Sequence, residues 1–326
     1  MHRSLWHVDA DHSELRKMES NAVDDHRIQA LYSMISMGTE RLVALGQVPP
    51  SLYAQMAVNY MQGDFSFPIK YGYSLVGKWM DTEEESLVHL MHPHQDFLSA
   101  SANDCFGFDK SIPAARACLA SNVETCVNAI WDARLDEGMG QAAKSDSTQA
   151  LVAVLGFGSI GALLAETLRQ YVGLHAFVVE LNEEKKKIAQ DAGFEVSKEL
   201  GTEKFDIVFN TTSNEQALTV GLNALKPEGK LIEMSWYGIK KVSLPLGGAF
   251  HVNRLQLISS QVSRIPSHKK EFDFLKRKEL VFSLLGNSSY DQYITKVISL
   301  EEAPVFFNAL RKGEHENEIV CLIKYN

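Results

Sequence analysis

The chain has 326 residues, 45% of them hydrophobic and 22% charged, with a formal net charge of −9. This length suits two globular domains, and the composition is that of a soluble protein. The acidic balance argues against a nucleic-acid partner, because phosphate binding requires a basic face. The four cysteines form no C-x-x-C pair and no signal-peptide core or membrane span is evident, so we expect a cytoplasmic protein.

The first part of the chain, to about residue 120, predicts irregular antiparallel β structure. Turn signals at residues 46–50 and 63–68 separate short alternating runs such as residues 86–90. A helical stretch follows at residues 123–134, and the polar residues 138–148 predict a surface loop.

From Ala150 the pattern changes to short apolar runs that alternate with helical stretches, as a parallel sheet with crossovers requires. About six strands are predicted, which is the number in a complete doubly wound sheet. The clear ones are residues 151–155, 176–179, 205–210, 230–234 and 255–260. Asn182 predicts a helix N-cap, and residues 213–216 form a capping-box pattern that opens the next helix.

The first of these strands runs directly into a glycine turn, Gly156-Phe157-Gly158-Ser159-Ile160-Gly161, and the second strand ends in Glu180. This is the strand, turn, helix, strand and acid of a dinucleotide site. Gly156 permits the tight turn, Gly158 lets backbone N–H groups approach a pyrophosphate, and Gly161 lets the helix pack against the strand. The first helical turn offers unpaired N–H groups and partial positive charge.

The predicted cofactor is a nicotinamide dinucleotide, and the alternative is a doubly wound domain whose turn binds nothing. Glu180 favours NAD, because a carboxylate accepts hydrogen bonds from the ribose 2′-hydroxyl and repels a 2′-phosphate. NADP remains an alternative, although the lysine run 185–187 is typical of a solvated helix face. The predicted cofactor-binding residues that follow later strands are Asn210, Thr211 and Ser235.

After residue 260 the sequence predicts an amphipathic helix at residues 268–285 and a closing strand at residues 319–323. We expect this tail to return to the first domain. The predicted domains are therefore residues 1–125 with 262–326, and a nucleotide domain at residues 126–261.

A mid-chain nucleotide domain after a β-rich domain resembles the medium-chain dehydrogenase/reductase superfamily over essentially the whole chain. The local marks are the glycine turn and residues 35–40, 71–77 and 235–238. The resemblance implies an α/β fold, with a Rossmann doubly wound parallel sheet and a β-rich GroES-like catalytic domain. Residues 38–42, 67–73 and 92–96 resemble the bacteriochlorophyllide a dehydrogenase branch, which oxidises a hydroxyethyl side chain to an acetyl group.

The chain departs from the zinc enzymes of that superfamily at all three catalytic ligand positions. Met37, Tyr73 and Ser121 stand where the resemblance places cysteine, histidine and cysteine, and the four-cysteine structural lobe is absent. Neither a thioether nor a phenol replaces a thiolate or an imidazole for zinc, so we expect a zinc-independent member. The histidines at positions 89, 92 and 94 favour a pocket or loop role over a metal site.

Without zinc, a developing alkoxide needs another source of stabilisation. Tyr73 replaces a ligand of the zinc enzymes, so its hydroxyl could reach the substrate oxygen, and Thr39 matches the hydroxyl that relays protons in those enzymes. Lys70 could favour the phenolate, and His94 is the alternative acid or base, because histidine titrates near neutral pH. The competing interpretations are a packed aromatic at Tyr73, a turn residue at Thr39 and a solvated lysine at Lys70.

The predicted function is hydride transfer between nicotinamide and a secondary alcohol/ketone pair, with a small-molecule alcohol or carbonyl compound as the substrate. One alternative is an NADPH-dependent enone or quinone reductase, and another is a nucleotide-binding redox sensor without turnover. Relatives in this superfamily commonly dimerise across the last strand of the sheet, so we expect a homodimer.

Overall fold

The computed structural model describes residues 2–18, 26–81, 86–137 and 150–326. The strands in these ranges are β1 (His2–His7), β2 (Ser13–Met18), β3 (His26–Ile35), β4 (Gln62–Gly63), β5 (Ile69–Lys70), β6 (Leu75–Trp79), β7 (Leu87–Leu90), β8 (Phe97–Ala100), β9 (Cys105–Gly107), β10 (Val152–Leu155), β11 (Phe177–Val179), β12 (Val196–Ser197), β13 (Phe205–Asn210), β14 (Leu225–Glu233), β15 (Gln256–Ser259), β16 (Ile294–Ser299) and β17 (Val320–Lys324). The α-helices are α1 (Met37–Ala44), α2 (Tyr53–Met56), α3 (Ala114–Ala117), α4 (Ala120–Ala133), α5 (Ser159–Thr167), α6 (Glu183–Asp191), α7 (Glu215–Asn223), α8 (Phe274–Leu285) and α9 (Ala303–Arg311). The chain divides into two compact units, residues 1–121 with 285–326 and residues 122–284.

The second unit is built on a parallel sheet of six strands, counted over the described residues, in the order β12-β11-β10-β13-β14-β15. Each neighbouring pair is parallel. Numbered from β10, this is the 3-2-1-4-5-6 order of a doubly wound sheet, so that prediction is confirmed. All four residues of β10 are buried, as expected for a central strand whose two faces are covered.

The strand that departs most from its prediction is β14, which begins at Leu225, whereas the predicted strand begins at residue 230. Its backbone is irregular there, because Glu228 has a φ of 63°. The register with β13 also shifts between Phe205 and Ile207. Residues 226–229 therefore kink the strand without ending its pairing.

Two helices of this unit, α6 and α7, have N-caps that come from asparagine side chains. Asn182 caps α6 as predicted, and its Oδ1 accepts hydrogen bonds from two backbone N–H groups at 3.0 and 3.1 Å. The predicted capping box places the next cap at Ser213, but that residue has a φ of 53°. The cap of α7 is Asn214, whose Oδ1 accepts from Gln216 N at 2.8 Å and from a second backbone N–H.

Helix α8 begins later than the predicted position 268. Asp273 precedes it, and its Oδ1 accepts a hydrogen bond from Lys276 N at 2.8 Å, which is the geometry of an N-cap. The start of this helix is therefore set by an aspartate that the amphipathic pattern did not single out.

The second unit runs to residue 284, whereas the sequence analysis ended it at 261. Arg277 on α8 explains the difference, since its guanidinium donates to Asn128 Oδ1 at 2.9 Å and to Glu124 Oε1 at 3.4 Å. Both partners lie on α4. These buried polar contacts join α8 to the unit that contains the parallel sheet.

The first unit is β-rich. Among the described residues, one sheet has the order β2-β1-β5-β4, and a second has the order β16-β17-β3-β6-β7-β9 with β8 paired to β3. The closing strand β17 pairs antiparallel with β3 and parallel with β16. The end of the chain thus lies in this unit. Its apolar core combines residues of β3, β6, β7, α9 and β17.

Two further predictions concern a surface loop and membrane-spanning helices. The loop predicted at residues 138–148 lies outside the described residues. Of the helices in the described ranges, none is both long enough and apolar enough to span a membrane.

Candidate functional site

The glycine turn joins β10 to α5 with a geometry that two of its glycines require. Gly156 has a φ of 89°, and a Cβ there would lie 2.9 Å from Thr212 Cγ2 and 3.0 Å from Thr211 Oγ1. A Cβ on Gly161 would lie only 2.0 Å from the carbonyl oxygen of Gly156. Close packing within the turn therefore explains both glycines.

Close packing does not explain the glycine at position 158. It is the N-cap of α5, with φ −76° and ψ −167°, an extended backbone that other residues also adopt. No other part of the described chain comes within 4 Å of a Cβ built there. The open space borders the first turn of α5, where Ser159 and Ile160 are half-buried. A helix N-terminus that faces open space can bind an anion through its backbone N–H groups.

Glu180 folds back onto this turn from the end of β11. Its Oε2 accepts a hydrogen bond from Phe157 N at 2.7 Å. Its Oε1 accepts from Leu181 N and Asn182 N at 2.7 and 2.8 Å. These bonds fix the carboxylate, which has about four acceptor sites and so can still accept from a ligand hydroxyl.

The other three predicted residues also lie at the carboxyl edge of the sheet, but their polar atoms are engaged within the protein. Asn210 is fully buried, and its Nδ2 donates to Glu233 Oε2 at 2.7 Å. Thr211 Oγ1 donates to the last carbonyl of β10 at 2.8 Å. Ser235 Oγ accepts from Ser213 N at 3.0 Å. The three residues shape this edge through internal hydrogen bonds.

Glu233, at the end of β14, was missed in the sequence analysis. Its Oε1 accepts from Ser235 N at 2.7 Å, and its Oε2 accepts from Tyr237 Oη at 3.2 Å. Burial, together with the charge of Glu233, raises the pKa of Tyr237. The available signal was an acid at the end of a strand of the parallel sheet, much as Glu180 directly follows β11.

The predicted catalytic residues lie in the first unit. Interactions with the side chains of Ser36, which precedes α1, and of Thr39, in its first turn, act to lower the pKa of Tyr73. Burial raises the pKa of Tyr73 to about 12, with a further contribution from the charge of Glu40. At neutral pH this residue is therefore a protonated phenol, which can donate a proton.

His94 packs beneath the backbone that leads to Tyr73. Gly72 has a φ of 131°, and a Cβ there would lie 3.1 Å from His94 Nε2. The imidazole is fully buried, with Nδ1 2.7 Å from Ser33 Oγ and Nε2 2.8 Å from Glu40 Oε2. Both ring nitrogens are thus engaged within the protein. This corrects the expectation that His94 acts directly on a substrate.

The predicted interaction between Lys70 and the Tyr73 phenol is replaced by one with Gln95. Its side chain is 3% exposed, and its Nζ donates to Gln95 Oε1 at 2.8 Å. Burial lowers the pKa of Lys70 to about 8. The groups that shift the pKa of Tyr73 are Ser36, Thr39 and Glu40, in addition to burial, and do not include this lysine. Lys70 is therefore neither a solvated lysine nor the partner of the phenol.

The residues at the three zinc-ligand positions do not fit a zinc ion. Met37 packs against the apolar core of the first unit, and Ser121 Oγ donates to the carbonyl of Tyr73 at 3.0 Å. A thioether, a phenol and a hydroxyl do not supply the thiolate and imidazole ligands of such sites. In the part of the chain that the structure describes, no three His, Cys, Asp or Glu side chains form a metal-binding group.

His89 and His92, the other two histidines considered for a metal site, also have protein partners. His89 Nε2 lies 3.0 Å from Ser74 Oγ. His92 donates from Nδ1 to the Pro93 carbonyl at 2.8 Å, and burial lowers its pKa to about 3. Both residues contribute to packing in the first unit.

Comparison with solved structures identifies the fold. The 2R,3R-butanediol dehydrogenase of Bacillus subtilis matches with a TM-score of 0.76 and 14% identity over 100% of both chains. This chain shares the fold of that structure. A putative zinc-binding dehydrogenase of Sinorhizobium meliloti bound to NADP gives a TM-score of 0.73 and 13% identity over 99% of both chains. An alcohol dehydrogenase of Escherichia coli in complex with NADH gives 0.71 and 12%, again over 99% of both chains.

The match extends over both units, so the predicted combination of a Rossmann sheet with a GroES-like β domain is confirmed. No protein-family model and no curated protein matches the sequence.

Proposed function

We propose that the chain is an NAD(P)-dependent oxidoreductase of the medium-chain dehydrogenase type that works without zinc. The observation that carries the proposal is Gly158, a glycine that packing does not require, beside open space at a helix N-terminus. The fold supports it, since structural neighbours were solved with NADH and with NADP. When bound, the nicotinamide supplies or accepts a hydride at a small alcohol or carbonyl compound.

The cofactor is held by backbone and carboxylate groups of the second unit. The N–H groups at the start of α5, from Ser159 and Ile160, bind the pyrophosphate, and the helix N-terminus adds partial positive charge. Glu180 accepts hydrogen bonds from the adenosine ribose, which favours NAD over NADP. Its three backbone donors fix the carboxylate before the cofactor binds, so little orientation is lost on binding.

The proton comes from the first unit. Tyr73 donates it to the carbonyl oxygen as the alkoxide develops, and Thr39 acts to lower the pKa of the phenol, which favours release of the proton. The substrate class is a secondary alcohol/ketone pair, and a hydroxyethyl group next to an aromatic ring is the finer proposal. The resemblance to the bacteriochlorophyllide a dehydrogenase branch supports that finer proposal.

A turnover screen separates this proposal from its alternatives. Purified protein should oxidise NADH in the presence of saturated ketones, with aryl methyl ketones among the best substrates. A preference for enones and quinones with NADPH would instead identify the reductase alternative. Binding of NADH without turnover of any carbonyl would favour the redox sensor.

Zinc independence makes a separate prediction. Protein purified without chelator should contain far less than one zinc per chain, and its turnover should survive dialysis against a chelator. The reason is that Met37, Tyr73 and Ser121 offer no thiolate or imidazole. Stoichiometric zinc, measured by elemental analysis, would contradict this part of the proposal.

We also propose a twofold homodimer that forms through β15. This strand is at the edge of the parallel sheet, and Leu257 within it is exposed. An exposed apolar edge strand offers unpaired backbone groups to a second copy. Light scattering at micromolar concentration should give twice the chain mass, and Leu257→Lys should reduce it to the mass of one chain. A monomeric wild-type protein would contradict the proposal.

A further inference from the structure

The acid at the end of β14, Glu233, accepts hydrogen bonds on both of its carboxylate oxygens. Its Oε1 accepts from the backbone N–H of Ser235 at 2.7 Å. Its Oε2 accepts from Asn210 Nδ2 at 2.7 Å and from Tyr237 Oη at 3.2 Å. Asn210 ends β13, whereas Ser235 and Tyr237 follow β14. One side chain therefore connects the ends of two neighbouring strands of the parallel sheet.

Each of these three partners is a donor. The backbone N–H of Ser235 can only donate. The orientation of the Asn210 amide is fixed by Thr212, whose N–H and Oγ1–H donate to Asn210 Oδ1 at 3.3 and 2.7 Å. Asn210 therefore presents its NH2 group to Glu233. An amide in place of the carboxylate would set a second NH2 group against at least one of these donors.

A second set of contacts joins the loops that follow the two strands. Ser213, in the loop after β13, donates its N–H to Ser235 Oγ at 3.0 Å, and its carbonyl accepts from Lys240 Nζ at 3.0 Å. Ser213 has a φ of 53°, a left-handed conformation that residues other than glycine seldom adopt. Such a conformation persists where the surrounding contacts determine it. Both backbone polar groups of Ser213 are held in this way by the loop after β14.

The two loops lie on one side of the point where the strand order of the sheet reverses. In the order β12-β11-β10-β13-β14-β15, the chain runs from β10 to β11 and β12 and then continues on the other side at β13. A dinucleotide bound to such a sheet crosses the carboxyl ends of the strands at that point. Glu180, the proposed partner of the adenosine ribose, follows β11. The nicotinamide half is therefore expected on the side of β13 and β14.

We propose that Glu233 is a positioning residue that fixes the loops after β13 and β14 for the nicotinamide half of the cofactor. Its carboxylate joins Asn210 to the start of the second loop, and Ser235 extends the connection to Ser213. Loops that are fixed in advance lose little conformational freedom when a ligand binds, so this half of the cofactor binds more tightly. The inference rests on the proposed function, because it requires that the dinucleotide binds to the second unit.

The connection is tested by two ligands that share one half. ADP has the adenosine ribose and the pyrophosphate but lacks the nicotinamide riboside of NADH. Glu233→Gln should lower the affinity for NADH about tenfold or more, because a donor is left facing a donor, and should change the affinity for ADP by less than about twofold. Isothermal titration calorimetry with each ligand measures the two changes.

Three matched variants make this result specific. Glu203 is exposed in the same unit, so Glu203→Gln should leave both affinities in place. Glu180→Gln acts on the half that the ligands share and should weaken the binding of ADP and NADH alike. Ser235→Ala keeps the carboxylate but removes the acceptor of Ser213 N, so it should weaken NADH selectively. The last variant decides the question if Glu233→Gln does not fold.

A second readout needs no ligand. Hydrogen exchange, followed by mass spectrometry, should be faster in Glu233→Gln over residues 211–214 and 234–240, because the contacts that join these loops are lost. The glycine turn, residues 156–161, should exchange at the wild-type rate. Glu203→Gln should leave all three segments unchanged. Faster exchange throughout the second unit would indicate general destabilisation and would overturn the specific role of Glu233.

The binding data separate this inference from the proposed function. If the wild-type protein binds both ligands and Glu233→Gln loses equal affinity for ADP and NADH, or none for either, only the role of Glu233 is overturned. If the wild-type protein binds neither ligand, the proposed function fails, and the assignment of these loops to the nicotinamide half fails with it.

Discussion

Replacing Tyr73 by phenylalanine should lower kcat for ketone reduction by about 10²-fold or more, the usual range for loss of a general acid. Phenylalanine fills the same place, so the affinity for NADH should barely change. The measurement is steady-state kinetics together with a fluorescence titration of NADH. Unchanged kcat in Tyr73→Phe would show that water or another side chain donates the proton.

The pH dependence provides a second readout of the same residue. With a pKa of about 12 for Tyr73, only about 10⁻⁴ of the molecules carry a phenolate at pH 8. Alcohol oxidation, which uses the base, should therefore rise about tenfold for each pH unit in mildly alkaline solution. Ketone reduction, which uses the acid, should not rise over that interval. Tyr73→Phe should remove the slope from the oxidation profile.

Gly158→Val should abolish the increase in melting temperature that NADH causes in the wild-type protein. A saturating ligand stabilises by about 2.7 kcal/mol at 100 times its Kd, and a side chain in the cofactor's path removes that term. Without NADH, the variant should melt close to the wild type, because no other part of the described chain comes within 4 Å of the added Cβ. Differential scanning fluorimetry with and without NADH measures both quantities.

Two matched substitutions make that result specific. Gly201 lies in the same unit and also has open space at its Cβ, so Gly201→Val should keep the full response to NADH. Gly161→Ala should lower stability even without NADH, because its Cβ would meet the Gly156 carbonyl at 2.0 Å. An undiminished NADH response in Gly158→Val would remove the glycine turn from the binding site.

The parallel sheet was predictable because its signals are local. Each strand is a short apolar run, and the close approach of Gly161 to Gly156 and the N-cap formed by Asn182 involve near neighbours in the chain. The position of α8 was less predictable. Its attachment depends on Arg277 reaching Asn128 and Glu124, and no local pattern reports such a distant contact.

The candidate site likewise has some features that local sequence signals predict and others that depend on distant contacts. Glu180 could be predicted from the strand that it follows, and the candidate roles of Tyr73 and Thr39 were implied by the resemblance. The contact of Glu40 with His94 was not predicted, because the two residues are 54 positions apart in the chain. The roles considered for His94 and Lys70 assumed accessible side chains, and burial can only be known from the folded structure.

The central claim is that this chain moves a hydride between nicotinamide and a carbonyl carbon. The most direct test uses NADH that carries deuterium at C4, prepared separately in each of its two stereochemical forms, with an aryl methyl ketone as acceptor. Mass spectrometry of the alcohol product should show one deuterium at the carbinol carbon from one of the two forms and none from the other. Consumption of NADH without deuterium in the alcohol, or failure to form any alcohol, would contradict the claim.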